Sequence, residues 1–207
     1  MYTGVGEKVS RAYTLKKRAE AQARTRRRIV TAAVELHGSR GPAYTSISAV
    51  AKRAGVQRAT VYDHFPNESA LFEACTAHYF DRHRPPDPSR WADIEEPLLR
   101  FRAALGEAYA YYRRVEPMMT RAYRDAQIKP EIFETQAARA HGQHWERVTS
   151  ELVAAWGATA EGHPLLAAAV GHAFSFQTWH QLAAVQKLPK ERAVELMVKL
   201  VRCAAIE

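Results

Sequence analysis

Cysteine is almost absent from this chain. Cys75 and Cys203 stand far apart, so there is no CxxC pair, no zinc-ligand spacing and no disulfide framework. A reducing interior follows, and the expected location is cytoplasmic. Long apolar runs are missing as well. Residues 165–174 come nearest to a membrane span, but Gly171 and His172 interrupt them far short of the ~18 apolar residues a span needs. The N-terminus is basic without the apolar stretch of a signal peptide. Nor is there a Gly-rich phosphate loop, GxSxG, HExxH or Cys–His signature. No catalytic residue and no cofactor is therefore expected, and the membrane and secreted classes are set aside.

Acidic side chains are scarce at one end. Residues 1–28 carry nine Lys and Arg against two Glu, whereas residues 29–80 balance at four each and residues 81–207 hold 17 against 16. Nearly all of the formal net charge of +8 thus lies before position 29. So local an asymmetry points to a polyanion, or else to a solvated basic tail.

The 207 residues are 47% hydrophobic, ample for a core without metal or disulfide support. Glycine and proline punctuate them, and between these marks apolar residues recur at helical spacing, with no sustained period of two. The expected class is all-α with about nine helices. They cover 16–37, 46–54, 57–64, 67–82, 93–114, 117–127 and 130–156, and two more open at Pro164 and Pro189. The organisation read from this is a disordered basic arm over 1–15, a first domain over 16–66, a connecting helix over 67–84 and a second domain over 85–207.

The stretch from Thr45 to Phe65 is the most informative. Ile47, Val50, Ala51 and Ala54 make the inner face of one short helix, Gly55 allows a left-handed turn, and Val61 and Phe65 make the inner face of the next. Two such helices joined by a short glycine turn form a helix-turn-helix, whose second helix presents its N-terminal residues to base edges. Its outward residues are Gln57, Arg58, Ala59, Thr60 and Asp63, with the polar ends of Tyr62 and His64. Arg pairs with guanine, Gln with adenine and Thr meets a thymine methyl. An αα-corner without a ligand fits the same pattern. The basic residues Lys16, Lys17, Arg18, Arg24, Arg26, Arg27 and Arg28 would add phosphate contacts or a minor-groove insertion.

Ala32–Ala33, Leu36, Tyr44-Thr45-Ser46-Ile47, Ala54-Gly55-Val56, Thr60-Val61-Tyr62, His64-Phe65-Pro66 and Ala70-Leu71-Phe72 resemble the N-terminal domain of the tetracycline-repressor (TetR) family over roughly residues 24–75. The resemblance implies a homodimeric repressor released from operator DNA by a small molecule, with residues 16–66 as the DNA-binding domain and residues 85–207 as the ligand-binding and dimerisation domain. It also implies phosphate contacts at Thr45 and Ser46, a base-facing turn at Gln57, Arg58, Ala59 and Thr60, and backbone clamps at Tyr62 and His64. Three positions depart from the family's pattern: Ala59 replaces a frequent glycine, Gln57 replaces a serine cap, and Glu68 stands where a lysine contacts phosphate.

Beyond residue 78, Tyr79, Tyr109, Tyr112, Met119, Tyr123, Trp145, Phe174 and Trp179 are the candidate lining of a largely aromatic pocket for an apolar effector. Small residues Ala168, Gly171 and Ser175, with Leu196, Leu200 and Val201 on the final helix, are the candidate dimer face. The histidine pairs His141/His144 and His172/His180 lack the converging third ligand of a metal site, so no metal is expected. Two other readings stay open. One is a constitutive or activating DNA-binding protein without an inducer pocket; the other is a helical enzyme or metal-binding protein.

Overall fold

The computed structural model describes residues 4–206. The regular elements among them are helical: α1 (Gly4–Arg40), α2 (Ile47–Ala54), α3 (Arg58–His64), α4 (Glu68–Arg82), α5 (Pro97–Ala126), α6 (Gln136–Ala154), α7 (Pro164–Ala173), α8 (Phe176–Trp179) and α9 (Lys190–Ala204). Short 3-10 turns occur at Pro42–Tyr44, Pro88–Arg90 and Pro130–Phe133, and a π-helical turn, His180–Val185, follows α8. The all-α class and the number of helices agree with the sequence pattern.

The chain folds as two compact units, Met1–Tyr79 with Arg121–Thr135, and Phe80–Thr120 with Gln136–Glu207. A cut at the 85–88 prolines does not describe this. Residues 121–135 join the first unit because their side chains bond its backbone, and helical periodicity carries no trace of such bonds.

In the first unit Ile29, Ala33 and Leu36 of α1, Ile47 and Val50 of α2, Val61 of α3, and Leu71 and Cys75 of α4 share one buried core. Burying each aliphatic side chain contributes about 1.5–3 kcal/mol. Asn67 caps α4, its Oδ1 accepting the Ala70 N–H at 2.8 Å. The helix before this core is longer than expected. It begins at Gly4, where the sequence reading places a disordered arm, because no proline or glycine interrupts residues 7–37. Residues 1–3 lie outside the described ones.

In the second unit the expected break at Pro117 is absent, and α5 runs through it. Pro117 sits on the exposed side while Val115 and Met119, both buried, carry the helix across. The α5 start falls after Glu96, whose carboxylate accepts the Leu98 and Leu99 N–H groups. Pro130 opens a 3-10 turn, and α6 starts at Gln136 instead. Leu105, Ala108, Val148, Leu152, Val170, Ala173, Ala193 and Met197 are among the buried core residues of this unit, and Arg102 pairs with Glu195 at 2.7 Å.

Candidate nucleic-acid interface

Helix α2 starts at Ser46, whose hydroxyl oxygen accepts the Ala49 N–H at 3.2 Å. It stops at Gly55, which takes φ 65 and ψ 41, a left-handed conformation that glycine adopts without strain. The Arg28 guanidinium donates to the carbonyls of Ala54 (2.6 Å) and Gly55 (3.1 Å). A cation at that end also satisfies the helix dipole. Arg28 therefore holds the turn, and its assignment to a DNA-facing basic arm gives way to this structural role.

Helix α3 buries Val61 completely, with Phe65 at its end, and this fixes which face looks outward. Gln57, Arg58, Ala59, Tyr62 and Asp63 are exposed; Thr60 and His64 are half-buried. Gln57 is the N-cap residue but its amide makes no capping bond. Arg58 stacks over the Tyr62 ring at 5.6 Å and donates to its hydroxyl at 3.3 Å, a bond that raises the guanidinium pKa. Thr45 differs from its expected role, since its hydroxyl donates to the Gly41 carbonyl at 2.8 Å. Arg27 is exposed on α1. Glu68, the misplaced acid of the sequence, is matched by Lys129, whose Nζ lies 3.0 Å from its carboxylate.

Five of the eight pocket candidates gather in the second unit. Tyr112 lies 5.3 Å from Trp145 and 6.0 Å from Trp179, ring to ring, Trp145 lies 5.9 Å from Phe174, and Tyr109 lies 6.4 Å from Tyr112. The Tyr109 and Tyr112 hydroxyls donate to the carbonyls of Ala173 and Phe174. Met119 is buried in the same unit, while Tyr79 and Tyr123 belong to the first. His141 belongs to this aromatic group, stacked on Phe80 at 4.2 Å. Its Nε2 accepts the Trp145 N–H at 3.3 Å and faces the Tyr111 hydroxyl at 3.0 Å. Burial chiefly, with His144 nearby, pushes its pKa down to about 4.

On the candidate dimer face Leu196, Leu200, Ala168 and Gly171 are exposed. Ser175 is half-buried, its hydroxyl on the Gln177 amide oxygen at 2.9 Å. Val201 is fully buried and faces the unit's own core, so it drops out of that face. The one-residue step from Leu200 turns it about 100° away. Cys203, exposed and three residues beyond Leu200, takes its place on the surface.

Sequence reasoning missed a further set. Arg121, Arg124, Asp125 and Lys129 all bond the first unit. Their signal, a charged run at the end of a long helix, reads as an ordinary solvated surface.

A three-helix head with a glycine turn and an outward polar α3 is a helix-turn-helix on an all-helical chain. Residues 29–75 match the family model described as bacterial regulatory proteins, tetR family. The fold agrees beyond that segment. A tetR-family transcriptional regulator from Streptomyces coelicolor superposes with a TM-score of 0.58 at 18% identity, covering 89% of this chain and 80% of that one. A TetR-family regulator from Syntrophomonas wolfei gives 0.60 at 14% identity, over 89% and 96%. The multidrug binding protein EbrR, complexed with imidazole, gives 0.51 at 23% identity, over 84% and 88%. No curated protein matches the sequence. Residues 29–75 thus resemble the N-terminal segment of the tetR family, and the chain has the fold of solved TetR-family regulators.

Proposed function

We propose that the protein is a homodimeric repressor that binds palindromic operator DNA and is released by a small, mainly apolar molecule. The observation that carries this is the outward face of α3, where Gln57 and Arg58 stand exposed with base-reading groups and the turn behind them is locked by Arg28. The aromatic group around Tyr112 supports an apolar effector, with His141 and the Tyr111 hydroxyl as polar anchors. EbrR, of the same fold, is a multidrug binding protein. Exposed Leu196 and Leu200 beside Ala168 and Gly171 support a two-helix, isologous dimer face made by α7 and α9.

Release requires the effector to bind the DNA-incompetent state more tightly; ~1–3 kcal/mol of coupling weakens DNA binding roughly 5–150-fold. The test is a mobility shift on the duplex upstream of the protein's own gene, repeated with small aromatic molecules that quench tryptophan fluorescence. A shifted band that such a molecule reverses is the expected result. No shift on that duplex or on a random-sequence pool defeats the regulator reading. A shift that no quenching molecule reverses leaves constitutive binding.

A further inference from the structure

We propose that residues 13–27 of α1 are a second, sequence-independent DNA contact, a continuous basic helix that follows the phosphates flanking the operator half-site. The inference rests on the reading that α3 faces operator DNA, and adds a surface which that reading does not require.

Two contacts fix where this helix leaves the head. Arg28 bonds the Ala54 and Gly55 carbonyls at the turn, and the Arg26 guanidinium lies 4.6 Å from the centre of the Phe65 ring at the end of α3. Arg26 and Arg28 therefore lie against the C-terminal end of α3 and the turn before it. From there α1 continues toward its N-terminus without a break, and residues 13–24 are exposed throughout.

The register sorts their charges. At 100° per residue, Lys16, Arg27, Arg24 and Lys17 fall within an arc of about 100°, centred roughly opposite the Ile29, Ala33 and Leu36 core face. Glu20 lies within that arc as its one anion, while Arg18 and Arg26 fall outside it. Arg24 and Arg27 are three apart on one helix face, a spacing at which like charges oppose helix formation. A polyanion along the stripe removes that cost. A lipid surface fits less well, because a helix lying in a bilayer needs a broad apolar face. Here the large apolar side chains of residues 13–28 are Tyr13 and Leu15 alone.

The reach suits a duplex. The thirteen steps from Arg26 to Tyr13 span about 20 Å at 1.5 Å each, or roughly six base-pair steps of 3.4 Å.

The probe is a palindromic duplex that the protein itself selects from a random-sequence pool. It is prepared trimmed to its two half-sites, about 20 base pairs, and extended by about ten on each side. The variants are Lys16→Ala/Lys17→Ala/Arg24→Ala and, separately, Glu20→Lys. On the extended duplex the triple variant should lower the slope of log K against log salt by about 3 and bind on the order of 100-fold more weakly near physiological salt. Glu20→Lys should steepen that slope by about 1, and on the trimmed duplex both variants should match the wild type. Circular dichroism checks that α1 stays helical; if the triple variant loses helix, Glu20→Lys decides. Equal slopes for all proteins, or the same change on both duplexes, overturns the proposal. So does binding to phosphatidylserine vesicles that the triple variant loses while its DNA affinity is unchanged. A wild type that selects no duplex overturns the regulator reading as well, whereas one that selects a site but ignores its flanks overturns this proposal alone.

Discussion

The buried carboxylate of Asp125 occupies the space that a side chain at Gly41 would need. Gly41 has φ 103, and a Cβ built there would collide with the Asp125 carboxylate and the Arg124 guanidinium. Asp125, with no exposed surface, accepts the Ala43 N–H at 3.0 Å and the Arg124 Nε–H at 2.6 Å. Arg124 in turn donates to the Arg40 carbonyl at 2.8 Å, and Arg121 donates to that of Ser39 at 3.1 Å. The last turn of α5 thereby closes the end of α1 and fixes the 3-10 turn leading into α2.

Gly41→Ala should therefore destabilise the first unit by about 2–4 kcal/mol, from a strained positive φ plus the displaced carboxylate. Asp125→Ala should cost about 1–3 kcal/mol by orphaning the Ala43 N–H, and Asp125→Asn less, since its amide oxygen still accepts that bond. Urea unfolding midpoints followed by circular dichroism give the order. A Gly41→Ala protein as stable as the wild type would refute the steric account.

The helix-turn-helix was legible because its requirements are local: alternating buried positions, a left-handed glycine and a capping serine all sit within twenty residues. Asp125 was not legible, since the Ala43 N–H it accepts lies over eighty positions away and an Asp at a helix end reads as solvated. Arg28 misled for the same reason, as its neighbours Arg26 and Arg27 made it look like part of a charge run. Val201 shows the limit of an apolar stripe. Periodicity places it on a broad hydrophobic arc with Leu200, and only the packed helix separates the inward half from the outward half. Pro117 failed as a punctuation mark because buried residues on both sides outweigh one missing hydrogen bond.

Arg58→Ala should relax base preference at one position of each half-site and weaken specific binding by about 1–3 kcal/mol. Because the guanidinium rests on Tyr62, Tyr62→Phe should retain most of the affinity through the ring, and Tyr62→Ala should lose more. Competition binding with single-base operator variants resolves the two effects. An unchanged base preference in Arg58→Ala would remove that residue from the reading surface.

Stability should fall in mild acid. His37, 7% exposed and stacked on Phe72 at 5.1 Å, has its pKa pushed down to about 4, by burial first, while Asp125 raises it and Lys129 lowers it further. The folded state therefore favours the neutral ring relative to the unfolded chain. The contribution is full above the unfolded value near 6.5 and is lost as pH falls toward 4. His141, also about 4, acts in the same direction. Each histidine should remove about 2 kcal/mol between pH 7.5 and 5. In urea titrations at the two pH values, His37→Gln should narrow the difference by roughly one such share. An equal pH dependence in variant and wild type would exclude His37 as a source.

The dimer face can be read through one thiol. Cys75 is buried, with its pKa pushed up to about 12 by that burial, so it is inert toward electrophiles. Cys203 is exposed on α9 three residues beyond Leu200 and seven beyond Leu196, which places all three on one helical stripe. In an α7–α9 dimer that stripe is covered, and maleimide should label Cys203 slowly, faster on dilution as the dimer dissociates. Leu196→Glu/Leu200→Glu sets two carboxylates on each partner into one apolar seam. Both leucines are more than 40% exposed in the single chain, so the double variant keeps its own core intact. It should run as a monomer in light scattering, label Cys203 rapidly and lose operator binding while retaining its helical circular dichroism. Rapid labelling of a wild type that scatters as a dimer would move the interface to another face, and a wild-type monomer at micromolar concentration would remove the dimer altogether.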